Sequence, residues 1–491
     1  MGKYIQSFLE DRTFVVSVNG KESESKLQEN GVPQGAVISV TLFLIAMNSV
    51  LSRIPINVKP LIYADDILLM AWGKDQKTAR ANIQQAVDII DCWSKEVGFT
   101  LSSIKSQILH VCRKNKHLEA PPIQIDDPQV QEVQSAKVLG LTIDRRLRFG
   151  VHARECKQSL GATSRLFEMI GNRMTGANRR TLMKLHRNLT IPKMFNGVGL
   201  YSLGGGKILK TLEPAYNSII RSVTGAFKSS PVLSIYAESG LLPFRYTYAE
   251  QLSLKAIQMY QRSETLAENA VFCHPMIDRT NRTLENLCLE TLSPIEPILR
   301  HGYRPWHLRS PEIDWTFKNS LKAGVSSIKA TKMFREHVIR KYNSFHQTIT
   351  DSSVVGNQVG SGIWSKTFEF SKRLPKECSI FSAEAWGILK AVKMVTTSNI
   401  PTIIFSDSAS CVNAIEGGSS KHPWIQATEI ESRNKNVVFC WIPGHAGILG
   451  NEKADQLANA GRYLETSDMK IPAQDAKRQI KCNIRKIWED Q

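Results

Sequence analysis

The amino-acid sequence predicts a multidomain protein of the α/β and α+β classes. The chain has 491 residues, more than the roughly 100 to 200 residues of one domain. Apolar runs typical of β-strands occur near both ends, and a long stretch with helical spacing separates them. A hydrophobic fraction of 42% is enough for each region to bury a core.

The net charge of +18 is unevenly distributed. Residues 345–465 carry 11 basic and 11 acidic side chains, so nearly all of the basic excess precedes them. Basic surfaces attract polyanions, and we therefore expect a nucleic acid as the partner. The sequence leaves the oligomeric state open.

The cysteines and the apolar stretches indicate an intracellular protein, without distinguishing nucleus from cytoplasm. The nine cysteines are widely spaced and form no Cys-x-x-Cys pair, so we expect neither a disulfide framework nor a zinc knuckle. The most apolar stretch, residues 36–51, is too short to span a bilayer. We predict no membrane segment.

The first region begins with strand and turn signals. Residues 12–19 are β-branched and alternating, and Asn19-Gly20 is typical of a hairpin turn. In residues 31–35, Gly-Val-Pro-Gln-Gly, the glycines let the backbone approach a ligand and Gln34 offers an amide. The same pattern also describes an ordinary rigid loop.

Two adjacent acids follow in Tyr63-Ala64-Asp65-Asp66. Apolar runs on both sides predict a β-hairpin with the acids at its tip. Burying two like charges together is unfavourable, whereas a divalent cation would stabilise them. A solvated turn is the alternative.

Further motifs then follow in order. Apolar residues at helical spacing from Ile83 to Val97 predict a helix that stops at Gly98. Lys105 lies between two apolar runs, and Val138 to Asp144 predicts one strand.

Together these motifs resemble the reverse transcriptases of non-LTR retrotransposons of the jockey and I-factor kind. Departures are Ala36 for the usual Ser and Val40 for the usual Pro. The resemblance implies that Asp65 and Asp66 bind metal, that Gln34 lies near the template and incoming nucleotide, and that Lys105 lies near the nucleotide phosphates. For Lys105 an ordinary solvated lysine is an equal alternative.

A polymerase centre of this kind needs a third carboxylate from another strand. The family takes it from a strand well upstream of Gly-x-Pro-Gln-Gly. In this sequence the only aspartate before Asp65 is Asp11, and Asp11 belongs to a different matched segment. We therefore expect the finger region and the first metal-binding strand to be missing, and templated DNA synthesis is not expected.

Residues 153–343 are predicted to be mostly helical. Basic side chains between Arg165 and Arg187 accompany apolar ones, which fits either a thumb or connection that follows a phosphate backbone or a solvated helix face. The prolines between Pro294 and Trp306 predict a linker.

The last large region spreads its acids over different elements. Asp351 lies in a predicted strand, Glu384 in the first turn of a helix, and Asp407 at the end of a buried parallel-type strand. His445 follows in Pro-Gly-His, and Asp455 near the start of a helix. Each acid alone has an ordinary explanation as a turn or first-turn residue.

The order of these acids resembles type 1 ribonuclease H, with Ser352 in place of a frequent Gly. The resemblance implies a mixed five-stranded sheet with flanking helices. It also implies that Asp351 and Asp407 share two ions, that Glu384 and Asp455 complete their coordination, and that His445 assists proton transfer or product release. Oxygen ligands without His or Cys suit Mg²⁺ or Mn²⁺.

We therefore expect a partial reverse-transcriptase palm at residues 1–152, a helical thumb or connection at 153–343, a type 1 ribonuclease H domain at 344–465 and a C-terminal extension at 466–491. The predicted function is metal-dependent cleavage of the RNA strand of RNA:DNA hybrids. Two alternatives remain: a non-catalytic nucleic-acid-binding remnant, and an RNA-directed DNA polymerase if the missing region is supplied.

Overall fold

The computed structural model forms two compact units, Met1–His152 and Ala153–Gln491. The residues that it describes are 2–28, 31–112, 121–125, 129–171, 175–202, 206–262, 273–298, 311–320, 327–395, 401–433, 435–466 and 468–491. In this described part of the chain, no helix combines the length and apolarity needed to cross a membrane.

In its described residues, the first unit combines three helices with short paired strands. The helices are Gly2–Leu9, Val37–Asn48 and Gln76–Val97, and a 3₁₀ turn covers Ser49–Arg53. The strands are Thr13–Phe14, Ser17–Val18, Lys21–Glu22, Lys26–Leu27, Val58–Tyr63, Asp66–Ala71, Gln107–Leu109, Gln131–Val133, Ser135–Val138 and Leu141–Asp144. All of them pair two by two.

Most local predictions for this unit are confirmed. A hairpin turns at Asn19-Gly20, and the long helix ends at Gly98, whose φ of 80° is left-handed. The single strand predicted for residues 138–144 is wrong. Leu139 and Gly140 take φ values of 48° and 81°, and these positive angles make a tight turn between two antiparallel strands.

Helices dominate the start of the second unit. They are Gly150–Ile170, Arg179–Leu185, a π-helical turn at His186–Thr190, Ile191–Phe195, Val198–Tyr201, Gly206–Thr224, Val232–Ser239, Phe244–Arg262, Cys273–Glu285, Thr316–Ser320 and Ser327–Tyr342. The linker predicted from Pro294 is only partly correct, because Ile295–Glu296 pairs as a short parallel strand with Ile471–Pro472. Residues 299–306 of that linker lie outside the described residues.

A six-stranded sheet forms the centre of the second unit. Its strands, in spatial order, are Glu312–Asp314, Val437–Trp441, Thr402–Ser406, His346–Val355, Gln358–Ser365 and Glu369–Leu374. The first four strands are parallel to one another, and each of the last two pairs antiparallel with the strand before it. Five of these strands lie within residues 344–465, as predicted. The sixth, Glu312–Asp314, comes from upstream in the sequence and pairs with Val437–Trp441, whose edge would otherwise be open.

Helices flank this sheet and extend its core. They are Ile380–Met394, Ala409–Gly417, Pro423–Ser432, Leu449–Gly461 and Ala473–Glu489. One cluster of buried apolar residues joins Tyr246 and Ile257 of the upstream helices, Ile388 of the central region, and Ile480 and Ile484 of the last helix. One apolar cluster therefore joins described residues as far apart in sequence as Tyr246 and Ile484.

Two glycines bring one helix unusually close to the sheet. A Cβ at Gly362 would lie 2.3 Å from the carbonyl oxygen of Ala454, and one at Gly360 would lie 2.1 Å from that of Ala458. Only glycine fits such an approach. Gly362 pairs with Asp351 on the adjacent strand. This packing therefore places the Leu449–Gly461 helix close to Asp351.

Candidate metal centre

The sheet register brings Asp351 and Asp407 together. Asp351 lies in the middle of the strand His346–Val355, and Asp407 directly follows Thr402–Ser406. Thr350 and Ser406 are partners in the parallel ladder between these strands. Asp351 and Asp407 therefore each lie one residue beyond this pair, on adjacent parallel strands. They lie towards the carboxyl ends of these strands, where α/β proteins bind ligands.

Glu384 joins them from a helix. The Ile380–Met394 helix is capped by Ser379, whose side chain accepts a hydrogen bond from the Ser382 backbone N–H. It begins earlier than predicted, so Glu384 lies in its second turn and not in its first. One carboxylate oxygen from each of Asp351, Glu384 and Asp407 lies within 4.8 Å of the other two.

Burial and mutual repulsion act together on these acids. Burial, followed by the neighbouring charges of Asp407 and Asp455, raises the pKa of Asp351 to about 8, against a hydrogen bond from the Ser352 backbone N–H. Glu384 is only 5% exposed, and burial followed by the charges of Asp351 and Asp407 holds its pKa well above the ordinary value. The site strongly disfavours three uncompensated negative charges.

The donor set fits a hard divalent cation. All three side chains offer carboxylate oxygens, which Mg²⁺ and Mn²⁺ prefer. The buried Oε2 of Glu384 has no hydrogen-bond partner among the described residues, and such atoms ordinarily have one. A cation between the carboxylates would satisfy this oxygen and offset the repulsion.

Asp455 lies beside the cluster and not within it. It stands in the second turn of the Leu449–Gly461 helix, further from the helix start than predicted. Its Oδ1 accepts a hydrogen bond from Asn459 Nδ2 at 2.9 Å. Because the charge of Asp455 raises the pKa of both Asp351 and Asp407, it is near enough to act on the same centre.

His445 is exposed on the loop that follows Trp441, with a left-handed φ of 51°. Burial raises the pKa of Asp407, whereas the positive charge of His445 lowers it. The imidazole therefore stands close enough to Asp407 to interact with it, and it is open to solvent.

Two residues at the site were not singled out from the sequence. A hydrogen bond from Asn451 opposes the rise in the pKa of Asp407. Gly444 lies so close to Asp407 that a Cβ there would be 2.6 Å from Oδ2. The glycine between Pro443 and His445 was the available signal, because a glycine often marks such a close approach.

The predicted polymerase residues lie in the first unit and are all exposed. Asp65 and Asp66 stand at the tip of the hairpin Val58–Tyr63 and Asp66–Ala71, as predicted, and Ala64 in the turn has a φ of 52°. Gln34 and Lys105 lie in turns. Within the described chain, no third His, Cys, Asp or Glu side chain joins Asp65 and Asp66 in a metal-type cluster.

Residues 1–143 match the family described as reverse transcriptase (RNA-dependent DNA polymerase). Residues 346–463 match the family described as RNase H. The chain carries a reverse transcriptase domain followed by a ribonuclease H domain. This confirms both resemblances predicted from the motifs.

Individual proteins that are similar in sequence support this assignment of two domains. The RNA-directed DNA polymerase from mobile element jockey of Drosophila melanogaster is 26% identical over 232 residues, which cover 45% of this chain and 25% of that protein. The probable RNA-directed DNA polymerase from transposon X-element, also of Drosophila melanogaster, is 25% identical and covers 45% of this chain and 24% of that protein. This chain thus spans about a quarter of the length of these relatives.

A third relative matches the ribonuclease H domain. The ribonuclease H of Ruthia magnifica subsp. Calyptogena magnifica is 26% identical over 132 residues, which cover 22% of this chain and 90% of that protein. The similarity therefore extends over nearly the whole length of that ribonuclease H.

Proposed function

We propose that the ribonuclease H domain of this chain cuts the RNA strand of RNA:DNA hybrids in a reaction that depends on Mg²⁺ or Mn²⁺. The observation that carries this proposal is the convergence of Asp351, Glu384 and Asp407 within 4.8 Å. Two buried carboxylates and a half-buried one, all with raised pKa values, are costly for stability, and such clusters occur at functional sites.

We assign each side chain a role that fits its position. Asp351 and Asp407, on adjacent strands, would hold two ions between them, and Glu384 and Asp455 would complete the coordination. When bound, the ions would supply an activated water and neutralise charge on the leaving 3′ oxygen. His445 is exposed beside Asp407, so it is available to move a proton between the site and solvent or to help release the product.

The charge of the chain and the chemistry of RNA support the proposed substrate class. The basic excess of the upstream residues favours a polyanion. Discrimination of RNA from DNA requires contacts to the 2′-hydroxyl groups, which line the wide minor groove of an A-like duplex. We propose that the domain binds the hybrid across this groove.

Cleavage of a labelled hybrid tests the proposal. The purified chain should degrade the RNA strand with Mg²⁺ or Mn²⁺ and leave the DNA strand intact. Asp407→Asn should reduce the rate by at least about 100-fold, because it removes a charged ligand oxygen at nearly constant shape. The matched control is Glu369→Gln, an exposed acid on the edge strand, which should cleave like the wild type.

Equal cleavage by wild type and Asp407→Asn would refute the assignment of the site. Salt-dependent binding of the hybrid without cleavage in either metal would support the alternative, a non-catalytic nucleic-acid-binding remnant.

A further inference from the structure

The helix Ser327–Tyr342 precedes the ribonuclease H domain in sequence but packs directly on its sheet. Val338 and Tyr342 are buried in a cluster that also contains Phe405 of the central strand and Ile448. Phe334 contacts Phe405 edge to face, with ring centroids 5.1 Å apart. The helix is therefore fixed to the same sheet that carries the acidic centre.

The first turns of this helix support the loop that bears His445. Thr331 Oγ1 donates to the carbonyl oxygen of Gly447 at 3.2 Å, and a Cβ at Gly447 would lie 3.3 Å from the Cβ of Ser327. The other end of the loop, Gly444, lies against Asp407. Three residues span at most about 11 Å, so the helix lies a few nucleotide spacings from the proposed cleavage site.

An open groove runs along the helix beside this loop. Its volume is about 460 Å³, and its lining includes Thr331, Lys332, Arg335 and Gly447. Lys332 and Arg335 are exposed. The Lys332 ammonium lies 4.0 Å from Glu336, and an exposed pair at this distance leaves the lysine available to another anion.

The charge of the helix differs from that of the domain it packs against. Residues 327–342 contain five basic side chains and one acidic side chain, whereas residues 345–465 are neutral overall. The acidic centre repels a phosphate backbone when no cation is bound. The helix supplies the nearby positive charge that the domain itself does not have in excess.

We propose that the groove beside the Ser327–Tyr342 helix binds the sugar-phosphate backbone of the hybrid next to the cleavage site, with Lys332 and Arg335 contacting phosphates. This rests on the proposed function and adds a substrate-binding surface to it. Ile328 and Ile339 border the groove and are 82% and 67% exposed, which gives it apolar edges for sugar rings.

Binding can be measured without cleavage. In an Asp407→Asn background with EDTA, the affinity for a short RNA:DNA hybrid is followed by fluorescence anisotropy over a range of salt concentrations. Lys332→Ala and Arg335→Ala should each weaken binding several-fold at low salt and reduce the salt slope by about 1, because each removes one phosphate contact. In the cleaving chain, the same variants should raise KM and leave kcat nearly unchanged.

The matched control is Lys366→Ala. Lys366 is exposed in the turn after Gln358–Ser365, towards the end of the sheet opposite Asp351, and its replacement should leave affinity and salt slope unchanged. Unchanged binding in both helix variants, or an equal loss in the Lys366 variant, would overturn the inference and leave the groove for a protein partner. A fall in kcat alone would also overturn it, because it would indicate an effect on the His445 loop.

These results are separable from a failure of the proposed function. If the wild-type chain does not cut the hybrid, the nuclease proposal fails, whereas the binding measurements still decide whether the helix contacts nucleic acid.

Discussion

Glu384 and the two aspartates beside it are the side chains that a bound cation would stabilise most. Burial together with like charge raises the pKa values of Asp351, Glu384 and Asp407. In the metal-free protein these acids compete for protons and so lose part of their negative charge. The arrangement destabilises the empty fold, and a divalent ion between the carboxylates would offset the repulsion.

His186 is a buried titratable residue outside this site. It is 0% exposed, and neither ring nitrogen has a hydrogen-bond partner among the described residues. Its ring stands edge to face with Tyr216, with centroids 5.6 Å apart. Burial, and then the charge of Arg187, lowers the pKa of His186 from 6.5 to about 4.

This shift predicts a loss of stability in acid. Above pH 6.5 the imidazole is neutral in both folded and unfolded chains. Below it, the unfolded chain binds a proton that the folded chain cannot, so by pH 5 the folded state should lose about 2 kcal/mol. His186→Phe should remove this share of the acid sensitivity, measured as the difference between melting temperatures at pH 7 and pH 5.

The control for this measurement is Lys184→Ala, an exposed position on the preceding helix. It should keep the acid sensitivity of the wild type. His422, whose pKa burial also lowers to about 4, should leave some acid sensitivity in every variant. An identical pH dependence in wild type and His186→Phe would contradict the prediction.

Among elements, the strand Glu312–Asp314 and the helix Ser327–Tyr342 are held together by one side chain. Asp314 is 4% exposed and accepts hydrogen bonds from the Tyr342 hydroxyl at 2.6 Å, from His337 Nε2 at 2.9 Å and from Lys341 Nζ at 3.2 Å. Burial alone would raise the pKa of Asp314, but the hydrogen bonds from Thr316, Tyr342 and His337 outweigh it and hold that pKa well below the ordinary value.

Replacement of this carboxylate should therefore be costly. Asp314→Asn leaves buried donors without their charged acceptor, and we expect a loss of about 3 kcal/mol in the free energy of unfolding at neutral pH. Because the folded pKa is depressed, the stabilisation is present above the unfolded pKa of 3.8 and disappears as the pH falls below it. The difference between variant and wild type should shrink correspondingly in acid.

Urea unfolding at several pH values measures this effect. Glu312→Gln, an exposed acid on the same strand, should change the free energy of unfolding by less than about 0.5 kcal/mol. Equal stability of the Asp314 and Glu312 variants would show that the hydrogen-bond network contributes nothing.

The sequence predicted the elements whose signals are local. Thr402–Ser406 is a continuous β-branched and apolar run, and Gln76–Val97 ends at a glycine, so both could be predicted without tertiary information. The strand Glu312–Asp314 could not, because three residues have no periodicity and the strand exists only through its distant partner Val437–Trp441. A single Asp before Thr316 also resembles an ordinary turn residue.

At the scale of the whole molecule, the residues of the acidic centre could be predicted one by one. The packing that holds them in place could not. Asp351, Glu384 and Asp407 were identified from their order and context. The close approach at Gly360 and Gly362, which positions the helix of Asp455, depends on backbone atoms far apart in sequence. The continuous core from Tyr246 to Ile484 likewise has no signal in any single segment.

This shared core predicts that the helix Ala473–Glu489 stabilises the ribonuclease H domain. Ile484 is fully buried in the shared core, and Ile484→Ala should cost about 2 to 5 kcal/mol. Heat inactivation of hybrid cleavage should then shift to lower temperature together with global unfolding. Arg485→Ala, at the exposed next position, should shift neither. An unchanged inactivation temperature for Ile484→Ala would mean that the nuclease region unfolds independently.

The contacts between the helix Ala473–Glu489 and the upstream helices also limit how the coding sequence can be rearranged. Trp488 packs beside Tyr246, with ring centroids 6.1 Å apart, and Gln491 accepts a hydrogen bond from the Tyr246 hydroxyl at 2.8 Å. The ribonuclease H match at residues 346–463 thus lies in sequence between two segments that fold against each other. Recombination that exchanged this ribonuclease H domain for another would have to keep both junctions matched, so we expect the upstream helices and the helix Ala473–Glu489 to be inherited as a pair.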